Sequence, residues 1–144
     1  MVDVTTQIII KCPLNRVFEY ASDPNNAPEW YVNIKSVEWR TQEILVVGSK
    51  IAFKAKFLGR QLEYVYEIVD LVSGQKLVMR TVDGHFLMET TYLWEKIDDN
   101  TTRMTLRNRG NPTGFSKLIT PFMAFAMKKA NQKDLKRLKE IMEK

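Results

Sequence analysis

IAFKAKFLGRQLEYVYEIVD, residues 51–70, is the stretch on which the fold turns. Ile51, Phe53, Ala55 and Phe57 alternate with Ala52, Lys54, Lys56 and Leu58. Beyond Gly59, Leu62, Tyr64, Tyr66 and Ile68 alternate with Gln61, Glu63, Val65 and Glu67. A period of two sends the two sets to opposite faces of a strand, so the stretch predicts a hairpin turning at Gly59 with one apolar face and one wet face. The same period recurs on both sides. Before it, Val37 and Trp39 alternate with Ser36, Glu38 and Arg40. After it, Ser73-Gly74 turns the chain into Leu77, Met79 and Thr81. DGHFLMETTYLWEK (83–96) then places Phe86, Met88, Thr90, Tyr92 and Trp94 on one face, and Asp98-Asp99-Asn100 leads into Thr102, Met104 and Leu106. Six consecutive strands joined by short turns make an antiparallel meander.

The flanks differ. VTTQIIIKC (4–12) is β-branched and reads as a strand. Pro13 starts a short helix whose apolar positions are Leu14, Val17, Phe18 and Ala21, and a second short helix is expected around Ala27–Tyr31. RGNPTG (109–114) breaks the strand pattern; Gly59, Gly74, Gly84, Gly110 and Gly114 all read as turn glycines, so no phosphate-binding loop is present. Residues 115–144 read as one long helix. At 100° per residue Leu118, Phe122 and Phe125 cluster on one side, whereas Leu138, Ile141 and Met142 lie well round from them. Either the helix bends near Lys128–Lys133 or its halves meet different parts of the body, and Pro121 fits a first turn capped by Thr120 or a kink.

A chain of 144 residues, 44% hydrophobic and 27% charged, is expected to form one domain spanning 1–144 with a sizeable core. No apolar run reaches the roughly 18 residues that span a membrane, and no secretion signal is expected from MVDVTTQIIIKCP (1–13). The lone Cys12 has no partner for an internal disulfide and reads as a small buried hydrophobe, which suits a cytoplasmic location. From Phe115 onward eight Lys or Arg stand against three acids, so the whole net charge of +5 sits in the C-terminal segment. No aromatics interleave with those lysines, which argues against nucleic acid; the bland reading is the solvated face of a docked helix, with weak membrane contact as the alternative.

A strand, two short helices, six antiparallel strands and a long helix follow one another in the order of the helix-grip fold, an α+β architecture with about seven strands. The chain resembles the START-like (SRPBCC) superfamily, and within it the polyketide cyclase/dehydrase and lipid-transport group. The likeness rests on CPLNRVFEYASDPNNAPEW (12–30), VGSKIAF (47–53), FLGRQLEYVYEIVD (57–70), TTYLWEKIDDNTTRMTL (90–106) and LKRLKEIME (135–143). It covers essentially the whole chain, through patterns of position with no catalytic signature. It implies a long helix lying across the concave face of a curved sheet and enclosing a ligand cavity.

That cavity is expected to be lined by Trp30, Phe53, Phe57, Tyr64, Tyr66, Met79, Thr81, Met88, Thr90, Tyr92, Trp94 and Met104, with Leu118, Phe122 and Phe125 from the helix. Seven methionines offer an adaptable wall, and Tyr or Thr hydroxyls can orient a polar ligand end. Catalytic residues are not assigned. The single histidine, His85, falls on the face opposite the aromatics unless a bulge at Gly84 reverses it. Glu63, Glu67, Glu89 and Glu95 share that outer face, where Arg80, Arg107 or Arg109 can pair with them. One His and scattered acids give no zinc-ligand spacing, and neither metal nor cofactor is expected.

The leading expectation is binding or carriage of a hydrophobic or amphipathic small molecule by a monomer or homodimer. A cyclase/dehydrase-like enzyme acting on a polyketide-type substrate is the alternative, and an accessory module contacting membrane or protein through its basic helix the third. A charged side chain inside the pocket would favour chemistry; an apolar pocket with a few hydroxyls would favour carriage.

Overall fold

The structure, a computed structural model, describes residues 2–82, 86–112 and 120–144. Seven strands form one curved antiparallel sheet: β1 (Val2–Ile10), β2 (Ile34–Trp39), β3 (Lys50–Phe57), β4 (Arg60–Val72), β5 (Lys76–Thr81), β6 (Phe86–Asp98) and β7 (Thr101–Pro112). Their spatial order is β1-β7-β6-β5-β4-β3-β2, so β2 to β7 are the expected meander and β1 closes it by pairing with β7. Between β1 and β2 lie α1 (Leu14–Ala21), a 3₁₀ turn (Pro24–Asn26) and α2 (Ala27–Trp30). The C-terminal helix α3 runs without interruption over Thr120–Met142. This is the helix-grip fold of START-like proteins.

Local chemistry explains the main turns. Phe57 pairs with Arg60, so Leu58 and Gly59 form a two-residue hairpin loop with φ of +52° and +76°. Positive φ at both central positions matches the right-handed twist of the strands, and glycine takes it without steric cost. Pro13 precedes α1, where a missing N–H costs nothing. The Asp23 carboxylate accepts from Asn25 N at 3.0 Å and so caps the 3₁₀ turn.

Gly110 departs from the sequence reading. It lies inside β7, opposite Val2 on one side and Met88 on the other. Its φ is +154°, and a Cβ there would fall 2.0 Å from the Leu87 carbonyl oxygen. Glycine is required here by close backbone approach within the sheet.

The core has two parts. The larger gathers Ile10, Trp30, Ile51, Ile68, Leu77 and Met104 with Leu135 and Leu138 of α3. The smaller holds Val2, Val4, Met88, Met123 and Met127. Helix α3 packs chiefly on β1 and touches α2. Its buried line runs Met123, Met127, Asn131, Asp134, Leu135, Leu138 and Met142, a single stripe at spacings of three and four. Phe122 and Phe125, expected to face the sheet, are 58% and 59% exposed. The helix is therefore rotated from the expected setting: the smaller methionines point inward and the phenylalanines outward.

Candidate functional site: a cavity between sheet and helix

Between β3–β6 and α3 lies a cavity of about 110 Å³. It sits where the two cores meet, bordered by Phe53, Tyr66, Met79 and Tyr92 of the larger and by Met88 and Met127 of the smaller. Phe57, Tyr64, Thr90 and Asn108 also line the sheet side, and Ser22, Asp23 and Tyr31 border the cavity from the segment between β1 and β2. Drug-sized ligands occupy roughly 300–1,000 Å³, so this cavity suits a small molecule, or a larger one once the methionines give way.

The remaining expected lining residues lie elsewhere. Trp30 is fully buried, with its indole stacked on Tyr31 at 4.2 Å. Trp94 meets Phe18 edge-on at 4.9 Å, so α1 covers it. Met104 belongs to the filled core with Leu135 and Leu138. The Thr81 hydroxyl is held between strands, accepting from Met88 N at 3.0 Å. Phe122 and Phe125 face outward for the reason given above. Leu118, His85 and the Phe86 side chain lie outside the described residues.

Several polar groups border the cavity, and most are already satisfied. The Tyr31 and Tyr92 hydroxyls hydrogen-bond each other. The Tyr66 hydroxyl meets Thr90 Oγ1 at 2.7 Å, and Thr90 donates to Asn108 Oδ1. Burial pushes the Tyr66 phenol up to about 12 and those of Tyr31, Tyr64 and Tyr92 well above their ordinary value, so all four stay neutral.

Helix α3 supplies the exceptions. Asp134, 3% exposed, accepts from Val32 N at 2.8 Å, and this bond ties the helix to the segment after α2. Burial raises its pKa to about 7, against the opposing pull of the Val32 N–H and the Arg137 charge. Asn131, 4% exposed, lies one turn earlier on the same face, and among the described residues its Nδ2 has no hydrogen-bond partner. Both side chains border the cavity. The sequence reading passes over both, although it holds a signal for them: a stripe anchored on Met123 and Met127 reaches Leu138 only by passing through 131 and 134.

The carboxylates of the sheet point the other way. Arg80 and Arg109 approach Glu89 at 2.7 and 3.0 Å and hold its carboxyl below the ordinary range. Glu95 pairs with Arg103 at 3.6 Å and Glu63 with Arg40 at 3.8 Å, while Arg107 reaches Asp3 at 2.7 Å. Among the described residues no group of three His, Cys, Asp or Glu is placed to hold a metal ion.

Beside the cavity, Phe57, Asn33 and Ala130 also border a shallow surface depression. Val32, Leu58, Phe122, Phe125, Ala126, Lys129 and Lys133 form the rest of its rim, and Lys129 Nζ stands 5.4 Å from the centre of the Phe125 ring. Among the described residues no helix is long and apolar enough to cross a membrane.

A family model described as polyketide cyclase/dehydrase and lipid transport matches residues 1–143. No curated protein is matched by the sequence. Among solved structures the chain is similar to the Zhui aromatase/cyclase of Streptomyces sp. R1128, with 13% identity and a TM-score of 0.81 over 98% of this chain and 93% of that one. It is similar to a START superfamily protein of Mycobacterium smegmatis at 13% identity and a TM-score of 0.81, covering 98% and 97% of the two chains. A Thermus thermophilus protein, TTHA0849, gives 19% identity and a TM-score of 0.80 over 96% and 94%. At these identities the likeness is one of fold.

Proposed function

Starting from the chain's membership of the polyketide cyclase/dehydrase and lipid transport family, we propose that it binds a small amphipathic molecule in the cavity between sheet and α3. The observation that carries this reading is unfilled space walled by aromatic rings and three methionines, with a partnerless buried amide and a buried carboxyl on one side. Filled cores reach crystal-like density, and buried polar groups are normally satisfied. A site with both features unfinished is ready for a guest. Apolar contact would supply affinity at about 25 cal/mol per Å² before ordering costs. The reading takes residues 1–144 as one domain acting in the cytoplasm. Native mass spectrometry of protein purified from its own host tests it: a co-purifying small molecule that leaves on denaturation is expected. Apo protein from the host that also takes up no apolar compound added in vitro would refute it.

Asp134 favours a second reading, a cyclase/dehydrase-like enzyme. A carboxyl whose pKa lies near neutrality inside a pocket is suited to proton transfer. Turnover of a polyketide-type substrate that is lost in Asp134→Asn while binding persists would establish it; unchanged turnover would dismiss it.

A third reading, contact of α3 with an anionic membrane, draws on the outward Phe122 and Phe125 beside Lys128, Lys129 and Lys133. Sedimentation with anionic vesicles, abolished by salt, is the expected result; no binding even at low salt would rule it out.

A further inference from the structure

Resting on the cavity reading above, we propose that the guest's polar end is uncharged and carries a hydrogen-bond donor beside an acceptor, as a carboxamide does, with Asn131 donating to the acceptor and Asp134 receiving the donor. The unpaired donor at Asn131 requires an acceptor. A buried N–H left unpaired is costly, so a ligand acceptor that meets it strengthens binding through one contact. The hydroxyls play a lesser part: Tyr66 and Thr90 give their protons to Thr90 and Asn108, and Tyr31 and Tyr92 share one hydrogen bond that leaves a single phenolic O–H to support the same ligand acceptor.

Asp134 sets the complementary requirement. Val32 N is the one hydrogen-bond donor that the described residues give it, which leaves carboxyl capacity for a donor from the guest. The pair also discriminates by charge. A ligand carboxylate would satisfy Asn131 but would place a second buried acid beside Asp134, and like charges at such a site oppose each other. A ligand ammonium would suit Asp134 but has no acceptor for Asn131. With Asp134 ionised, as at about pH 8, a neutral donor–acceptor end is the one that leaves both residues satisfied. Besides carboxamides, an enol or phenol next to a carbonyl belongs to this class. The remainder must be apolar and compact, because Met79, Met88, Phe53 and Phe57 form the opposite wall, and Met127 continues the helix side, of a cavity of about 110 Å³.

One-ring probes of similar size separate these possibilities: toluene, benzamide, benzoate and benzylamine, each titrated into the full chain by calorimetry at about pH 8, where Asp134 is ionised. Toluene is expected to bind, and benzamide to bind tighter than benzoate or benzylamine. Asn131→Leu is expected to weaken benzamide about tenfold relative to toluene. Asp134→Asn keeps an acceptor for Val32 but turns an NH₂ group toward the ligand's donor, and is expected to weaken benzamide several-fold in a protein that stays folded. If toluene binds but benzoate or benzylamine outranks benzamide, or both variants bind benzamide as wild type does, the assignment of the polar end is overturned while the cavity reading stands. If none of the four binds, the cavity reading falls and takes this inference with it.

Discussion

The two halves of α3 follow opposite rules. In the C-terminal half, Leu135, Leu138 and Met142 are buried against the body while Lys136, Arg137 and Glu140 face out, as on an ordinary amphipathic helix. In the N-terminal half the inner line continues through Asp134 and Asn131 to Met127 and Met123, and the large apolar groups Phe122 and Phe125 stand in solvent. The first half closes a filled core. The second puts polar groups where a core would want apolar ones and leaves a cavity beside them. Stability accounts for the first arrangement; the proposed ligand would account for the second.

This contrast can be broken by substitution. Leu138→Ala is expected to cost roughly 4 kcal/mol, because a fully buried side chain leaves a hole that close neighbours cannot fill. Met127→Ala, beside space that is already empty, is expected to cost roughly 2 kcal/mol. Urea unfolding with an unchanged m-value measures both. Equal costs would mean that the two halves are packed alike.

Asp134 sharpens the contrast through pH. Its pKa is about 7 in the folded chain against an ordinary value of 3.8. The folded state therefore holds a proton that the unfolded state releases between about pH 4 and 7, so stability falls as pH rises through that window. Each unit of separation is worth about 1.4 kcal/mol, and water reaching the carboxyl through the cavity lowers the realised total. Asp134→Asn is expected to flatten this slope and to be about 3 kcal/mol more stable at pH 8, read from melting curves at several pH values. An identical slope in both proteins would place the carboxyl in water.

At the outer surface the expected effects on stability are smallest. Phe122→Ser combined with Phe125→Ser should change unfolding free energy by no more than about 0.5 kcal/mol, since neither side chain is buried. The same pair is expected to weaken binding to anionic vesicles several-fold at low salt, as is Lys128→Gln with Lys129→Gln and Lys133→Gln. A large loss of stability in the double serine variant would show that the phenylalanines pack on the body after all.

The sheet is legible in the sequence because its period of two is short, repeated and punctuated by turn residues; 51–70 alone predicts β3, β4 and the hairpin between them. Gly110 is not, because a glycine required by backbone contact inside a strand looks in sequence like one required by a turn. The helix stripe misleads for a physical reason. Phe122 and Phe125 carry more apolar surface than Met123 and Met127, so weighting by hydrophobicity rotates the helix toward them. Asn131 and Asp134 are hidden by the same choice, since polar residues are assigned to solvent by default. Tyr64, Tyr66, Met88 and Tyr92 can be placed on the inner face by alternation, but no period tells which inward residues border empty space. That depends on how far the helix stands from the sheet.

The most direct test of the cavity uses methionines as reporters. With ¹³C-methyl methionine in the full chain, toluene is titrated while the methyl resonances are followed. Met79, Met88 and Met127 border the cavity, whereas Met104 and Met142 lie in the filled core. Saturable shifts at Met79, Met88 and Met127, with Met104 and Met142 unmoved, are the expected result. Absence of any shift, or shifts confined to Met104 and Met142, would contradict a ligand site between the sheet and α3.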